Sequence, residues 1–338
     1  MRLDVRGLSV ELPTPNGWVR PVNSVSFALA EGETLGIVGE SGSGKTMLSL
    51  ALMGLLPPGA RARGEAWLHS PASTENGSNA NGGGENLLAE SSSEMRAARG
   101  RRIAMIFQEP MTALNPVMRV GAQIAEAIRA HEPGLSAKEI NRRVLEALER
   151  ASVPEPKRRA RQYAHELSGG LRQRVTIAMA LAASPSVLIA DEPTTALDVT
   201  VQKQILDLLE NLRRELRLSM LFITHDLGVV AQVADRVAVM YAGRIVEEGP
   251  TEEVLRRPAH PYTIGLLRAA PRLVREKIVA IPGTVPPLGS LPPGCSFGPR
   301  CDRHIPECDA SAPKLANAIA SSETHRARCI RIGAHSES

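Results

Sequence analysis

Hydrophobic positions along this chain change their period several times, and each change marks an element. Leu8 to Leu12 and Val22 to Leu29 alternate or cluster apolar residues on either side of Asn16-Gly17, so the opening reads as two strands joined by a turn. Thr34 to Val38 is a short apolar-leaning run that fits a buried parallel strand. Lys45 to Leu55 then reads as a helix stopped by Pro57-Pro58-Gly59. Ile103 to Phe107 is a further apolar strand, and helical stretches follow over Val117 to His131 and Ser136 to Ser152. In the second of these Ile140, Val144, Leu145 and Leu148 keep one face apolar, and Ser136 with Glu139 predicts a capping box at its start. Strand-helix alternation returns at Val187, and Met220 to Thr224 is another apolar strand. The pattern predicts an α/β domain over 1–250 with a helical subdomain inserted at about 109–166, then a second region over 251–338.

Composition narrows the class. The 338 residues exceed one average domain, in keeping with that division. Hydrophobic content is 43% with 3% aromatic, and no apolar stretch reaches the ~18 residues of a membrane helix, so the chain is not expected to span a bilayer. Met1 to Arg6 mixes charge with single apolar residues and lacks a secretory signal's apolar core, which makes the cytoplasm the expected compartment. The net charge of +4 comes from 40 basic against 36 acidic residues, a mixed balance that points away from nucleic acid. Arg99, Arg101 and Arg102, and Lys157 to Arg161, read as solvated faces and helix ends. From Ser70 to Ser93 the chain turns to Ser, Asn, Gly and Glu; this stretch is expected to be a surface loop without a role in chemistry.

The chemistry lies in five places. Gly39-Glu40-Ser41-Gly42-Ser43-Gly44-Lys45-Thr46 matches a phosphate-binding loop, with the strand before it and the helix after it that such a loop requires. Its glycines let successive backbone N–H groups face phosphates, Lys45 adds positive charge, and the Thr46 hydroxyl can ligate Mg2+. The strand Val187 to Ala190 ends in Asp191-Glu192. Ligands gather at the carboxyl ends of parallel strands, so Asp191 is expected to order Mg2+ through water and Glu192 to act as general base on the attacking water. His225 closes another strand, where it can bond a γ-phosphate and brace the base; Gln108, after Phe107, can ligate Mg2+ or position water. The fifth place is the glycine-rich run Leu167-Ser168-Gly169-Gly170-Leu171.

In this order, with Ala196-Leu197-Asp198 after the acidic pair, these motifs resemble the nucleotide-binding subunit of an ATP-binding-cassette (ABC) transporter over about residues 1–250. The resemblance implies a P-loop NTPase core with an antiparallel β layer and an inserted helical subdomain. It implies that Gly39, Ser41, Gly42, Ser43, Gly44, Lys45, Thr46 and Met47 hold ATP with Mg2+. Two cassettes would pack head to tail, with Ser168, Gly169 and Gly170 reaching a γ-phosphate held by the partner and Asp198 at the seam. The fifth signature position, usually Gln, is Leu171, a variant of the peptide-importer branch that leaves the amides unchanged. The family stacks an aromatic ring on adenine; the aligned position here is Leu12, and Trp18 is either that ring or an exposed hairpin residue.

The tail adds to the resemblance. Gly249-Pro250, His260-Pro261-Tyr262-Thr263, Pro282 to Pro286 and Gly294 to Cys301 resemble the small irregular extension of oligopeptide, dipeptide and nickel importer ATPases. Cys295, Cys301, Cys308 and Cys329 gather there, in a compartment where disulfides are disfavoured. Their wide spacing leaves a [4Fe-4S] cluster, Zn2+ or unligated thiols as alternatives. The expected function is ATP hydrolysis that powers uptake of peptides, or of nickel or another small solute, at the cytoplasmic face of the membrane. The implied partners are a second cassette chain, different from this one or identical to it, two transmembrane permease subunits and, indirectly, an extracytoplasmic substrate-binding protein. A soluble cassette ATPase acting on DNA or ribosomes would show paired cassettes, a long coiled coil or a basic stripe, and the sequence has none; a metabolic kinase would leave Leu167 to Gly170 without a purpose.

Overall fold

Apolar residues alternating from Leu3 build the first strands of a computed structural model that describes residues 1–69, 84–89, 91–108, 113–195, 197–270, 280–319 and 322–332. In chain order the strands begin with β1 (Leu3–Thr14), β2 (Gly17–Leu29) and β3 (Thr34–Val38), then helix α1 (Lys45–Leu52), β4 (Arg61–His69) and β5 (Gly84–Asn86). Helix α2 (Ser92–Ala98), β6 (Ile103–Ile106), α3 (Val120–His131), α4 (Ala137–Arg150) and α5 (Gly169–Leu181) follow. Then come β7 (Val187–Asp191), α6 (Val199–Leu216), β8 (Ser219–Thr224), α7 (Leu227–Val233), β9 (Arg236–Tyr241) and β10 (Arg244–Pro250). The C-terminal part adds α8 (Thr251–Arg256), α9 (Pro261–Ala269), β11 (Ala316–Ile319) and β12 (Ser322–Ala327).

The chain forms two compact units. The first comprises Met1–Arg2, Leu29–Glu33 and Glu90–Leu221. In it β6 and β7 pair in parallel from Ile103↔Val187 to Ile106↔Ala190, and every residue of both is buried, which is why both read as unbroken apolar runs. Helices α3, α4 and α5 pack on one another. Ile140, Val144 and Leu148 are buried, as their spacing predicts, and Ser136 accepts from the Glu139 amide at 3.2 Å. Only this half of the expected capping box is present, because the Glu139 carboxylate is drawn to Arg142 and Arg143.

The second unit comprises Leu3–Ala28, Thr34–Ala89 and Phe222–Ser338. One sheet has the order β2-β1-β4-β5, with β1 antiparallel to β4 and β4 to β5. In another, β3 runs parallel to β9, β9 antiparallel to β10, and β10 antiparallel to β12, so residues on both sides of position 250 share a sheet. Val38, Val230, Val237, Val239, Tyr241 and Tyr262 are central to its core.

The loop expected over 70–93 needs correction at its C-terminal end. Residues 70–83 and 90 lie outside the described residues, but Gly84–Asn86 is strand and a helix begins at Ser92. Polar side chains make this order: Asn86 Oδ1 accepts from the amides of Ala66 and Leu88, and Ser91 with Glu94 forms a full capping box.

A buried polar group ties the C-terminal residues to β10. The Glu247 carboxylate, fully buried, accepts from the amides of Ala259 at 2.7 Å and His260 at 2.9 Å, and lies 2.7 Å from His325 Nε2 of β12. His260 Nδ1 in turn accepts from the Tyr262 amide at 3.1 Å and opens α9. Burial pushes the His260 pKa down to about 4 from 6.5, with Glu247 opposing the shift. Protonation would remove that cap, and the unfolded chain takes up the proton first as pH falls. Stability is therefore full above pH 6.5 and declines toward pH 4, by about 2 kcal/mol between pH 7 and pH 5. Urea unfolding midpoints at the two pH values should show this loss, and His260→Asn, which keeps a capping oxygen, should flatten it.

Candidate functional site

The phosphate-loop sequence leaves β3 and enters α1 in the second unit. Backbone crowding explains its glycines. A Cβ on Gly39 would lie 2.1 Å from the Met240 carbonyl oxygen, and one on Gly44, whose φ is +103°, would lie 2.0 Å from that of Pro21. The loop is closed by Ser43 N–H donating to Glu40 O at 3.2 Å and held from outside by Gly243 N–H donating to Ser43 O at 2.9 Å. Lys45 is buried and folds its ammonium over the loop, donating to Gly39 O at 2.7 Å and Glu40 O at 3.0 Å. Ser41, Gly42 and Thr46 are exposed, Ser43 is buried, and Met47 is half-buried. The exposed Thr46 hydroxyl in the first turn of α1 fits a Mg2+ ligand.

His225 in the same unit is exposed directly beyond β8. Its backbone is set by neighbours, since Thr224 Oγ1 accepts from Asp226 N–H at 3.1 Å and the Asp226 carboxylate caps α7. Trp18 is 48% exposed and has the Arg61 guanidinium 4.3 Å from its ring centre, while Leu12 is half-buried on β1.

In the first unit, β6 delivers Gln108 and β7 delivers Asp191 and Glu192. Asp191 is buried, and Glu192, half-buried, has a left-handed backbone with φ of +48°, a conformation that costs a non-glycine residue free energy. The strain accompanies a definite placement. Glu192 Oε2 accepts from Gln108 Nε2 at 3.3 Å and from Thr195 Oγ1 at 2.8 Å. Two residues expected to act on the same water are thus brought together, and sequence reasoning missed the third, Thr195. Its hydroxyl three positions after the acid was the available signal.

The glycine-rich signature is a helix start. Ser168 is the N-cap of α5 and accepts from Leu171 N–H at 3.4 Å, so the N–H groups of Gly169 and Gly170 belong to the first turn. Ser168 and Gly169 are exposed, Gly170 is half-buried, and Leu167 is buried as an anchor. Gly170 is required by packing, because a Cβ would meet Val201 Cγ1 at 2.7 Å. Exposed amides at a helix N-terminus suit a phosphate. Asp198 caps α6, accepting from Thr200 and Val201 amides at 3.0 and 2.9 Å. Ala196 lies outside the described residues.

A family model described as ABC transporter matches residues 22–195, which takes in the phosphate loop, the signature and the acidic strand end. The chain belongs to the ABC transporter family. A second model, described as oligopeptide/dipeptide transporter, C-terminal region, matches residues 246–308 of this ABC protein. A putative peptide import ATP-binding protein of Brucella ovis is 50% identical over 337 residues, covering 97% of this chain and 96% of the relative. The oligopeptide transport ATP-binding protein OppD of Bacillus subtilis is 50% identical over 303 residues, 88% of this chain and 80% of the relative. Among solved structures, a dimeric ATP-binding cassette in a post-hydrolysis state bound to ADP and Pi aligns with a TM-score of 0.62 and 26% identity, over 74% of this chain and 98% of that one.

The four cysteines converge. Cys295, Cys301, Cys308 and Cys329 all line one cavity of about 20 Å3, together with Phe297 and Pro313. Burial first, with the neighbouring thiols adding to it, pushes the Cys295, Cys301 and Cys329 thiols above their usual range. Such a cavity has room for about one water. Among the described residues no group of three or more His, Cys, Asp or Glu is placed to hold a metal ion. The [4Fe-4S] or Zn2+ centre that their spacing left open therefore has no ligand set among the described residues with the side chains as they stand.

Gly44→Ala puts a methyl into the Pro21 carbonyl at a φ that alanine resists. It should weaken ATP binding at least tenfold and destabilise the chain by ~2 kcal/mol. Nucleotide titration and thermal melting check both effects.

Proposed function

We propose that this chain is the ATP-hydrolysing subunit of an ABC importer that powers uptake of peptides across the cytoplasmic membrane. The observation that carries this reading is the near full-length similarity to peptide import ATP-binding proteins, which extends through the C-terminal region as well as the cassette. We read residues 1–250 as the cassette, with 109–166 as its helical subdomain, and 251–338 as the transporter-type extension; the two family matches, 22–195 and 246–308, support this division.

In this reading Gly39 to Met47 and Lys45 cradle the triphosphate, and Glu192, oriented by Gln108 and Thr195, takes the proton of the attacking water. His225 bonds the γ-phosphate. Mg2+, held by Thr46, Gln108 and, through water, Asp191, would offset charge building on the phosphate oxygens. Ser168, Gly169 and Gly170, with Asp198 beside them, serve a nucleotide held by a second cassette, for which a different chain is the expected partner. No described helix is long and apolar enough to cross a membrane. In this reading two permease subunits carry out translocation, supplied by an extracytoplasmic binding protein.

The four thiols extend the proposal. Their convergence on one cavity from positions 295 to 329 supports a [4Fe-4S] or zinc centre in a state where the thiols have ionised and turned to act as ligands. Iron, sulfide and zinc assays on anaerobically purified chain check this; metal-free thiols would remove it.

Glu192→Gln should bind ATP with unchanged affinity yet hydrolyse it ~100-fold more slowly or worse, read by phosphate release. Affinity purification from solubilised membranes should recover permease subunits and a cassette, and the reconstituted complex should take up labelled peptide only with ATP. A chain that hydrolyses ATP but recovers no membrane partner would sink the transport reading.

A further inference from the structure

The phosphate loop contains an acid that its chemistry does not call for. Glu40 is its second residue, so a carboxylate stands beside the amides and the ammonium that gather negative charge. Left unpaired, it would repel a triphosphate. The carboxylate is half-buried and is met by a guanidinium from far along the chain. Arg300 Nη1 donates to Glu40 Oε2 at 2.7 Å and Nη2 to Oε1 at 3.0 Å, a bidentate pair. The Arg300 side chain is only 4% exposed, against 30% for Glu40.

Arg300 is itself held. Its Nε donates to Pro282 O at 2.9 Å, and its guanidinium carbon lies 5.8 Å from the Tyr241 ring centre and 5.9 Å from that of Phe297. The Glu40 backbone is also engaged from this side, its N–H donating to Tyr262 Oη at 2.8 Å. Arg300 ends the short turn Gly298–Arg300, between Cys295 and Cys301. A group this buried and this well bonded does not drift to other partners.

We propose that Arg300 is a positioning residue for nucleotide binding: it neutralises Glu40 and draws that carboxylate toward the extension, so the C-terminal turn is part of what makes the phosphate loop receptive to ATP. The proposal rests on the ATPase reading above. Lysine would keep the charge but lose the fork, so Arg300→Lys should be intermediate.

The test is equilibrium binding of Mg-ATP to the full chain, with steady-state hydrolysis alongside. Arg300→Met should raise the ATP Kd and KM roughly tenfold or more while kcat at saturating ATP changes less than threefold, because the lost interaction acts on binding. Glu40→Gln/Arg300→Met, which leaves no unpaired charge, should return Kd to within about threefold of the unmodified chain. Glu40→Gln alone, which keeps an acceptor for Arg300, should bind ATP at least as tightly as the unmodified chain, and it reads the charge effect even if Arg300→Met fails to fold. Arg300→Met with unchanged Kd, a double variant as weak as Arg300→Met, or a weakened Glu40→Gln would each overturn the proposal. An unmodified chain that binds no ATP would instead overturn the ATPase reading itself.

Discussion

A crowded passage of backbone past backbone in the phosphate loop is the constraint on which much of this protein depends. A Cβ added at Gly39 or Gly44 would lie about 2 Å from the carbonyl oxygen of Met240 or Pro21, so the loop fits only because those positions have no side chain. That crowding shapes the loop, and the loop's shape turns Lys45 inward onto the carbonyls of Gly39 and Glu40. The buried ammonium thereby lies against two backbone oxygens of the loop itself. Residues as distant as β2, β9 and the C-terminal extension are all recruited to hold one turn of chain.

Two acids, Glu192 and Glu40, are likewise governed by what they touch. Glu192 sits in a left-handed backbone conformation and shares one oxygen between Gln108 and Thr195, which aims the carboxylate. Glu40, the second residue of the phosphate loop, is held in a bidentate pair by the buried Arg300 guanidinium. Both arrangements take a charged group whose bare presence says little and give it a direction.

The C-terminal extension belongs to the same account. Glu247 gathers the Ala259 and His260 amides and His325 around one buried carboxylate, and β12 continues the sheet beside β10. The extension is therefore held by polar groups that have no water to turn to. The cysteines gather around a cavity within this frame, brought there by the chain's return rather than by their spacing.

Much of the fold was legible because its signals are local. Thr34–Val38 is strand over the predicted residues, and Val187–Asp191 nearly so, since each is a short, mostly apolar run that is buried throughout. The helix predicted to Leu55 ends at Leu52, and within the loop predicted through Ser93 Gly84–Asn86 is strand and a helix begins at Ser92, because Asn86 and Ser91 make backbone bonds that composition does not weigh. Motif spacing was enough to name the nucleotide chemistry, since glycines, lysine and the acidic strand end act through geometry that a few consecutive residues impose. Thr195 against Glu192, and Arg300 against Glu40 across 260 positions, were decided only by tertiary structure. A pair interaction depends on where two side chains meet, and over such separations that is a property of the whole packed chain.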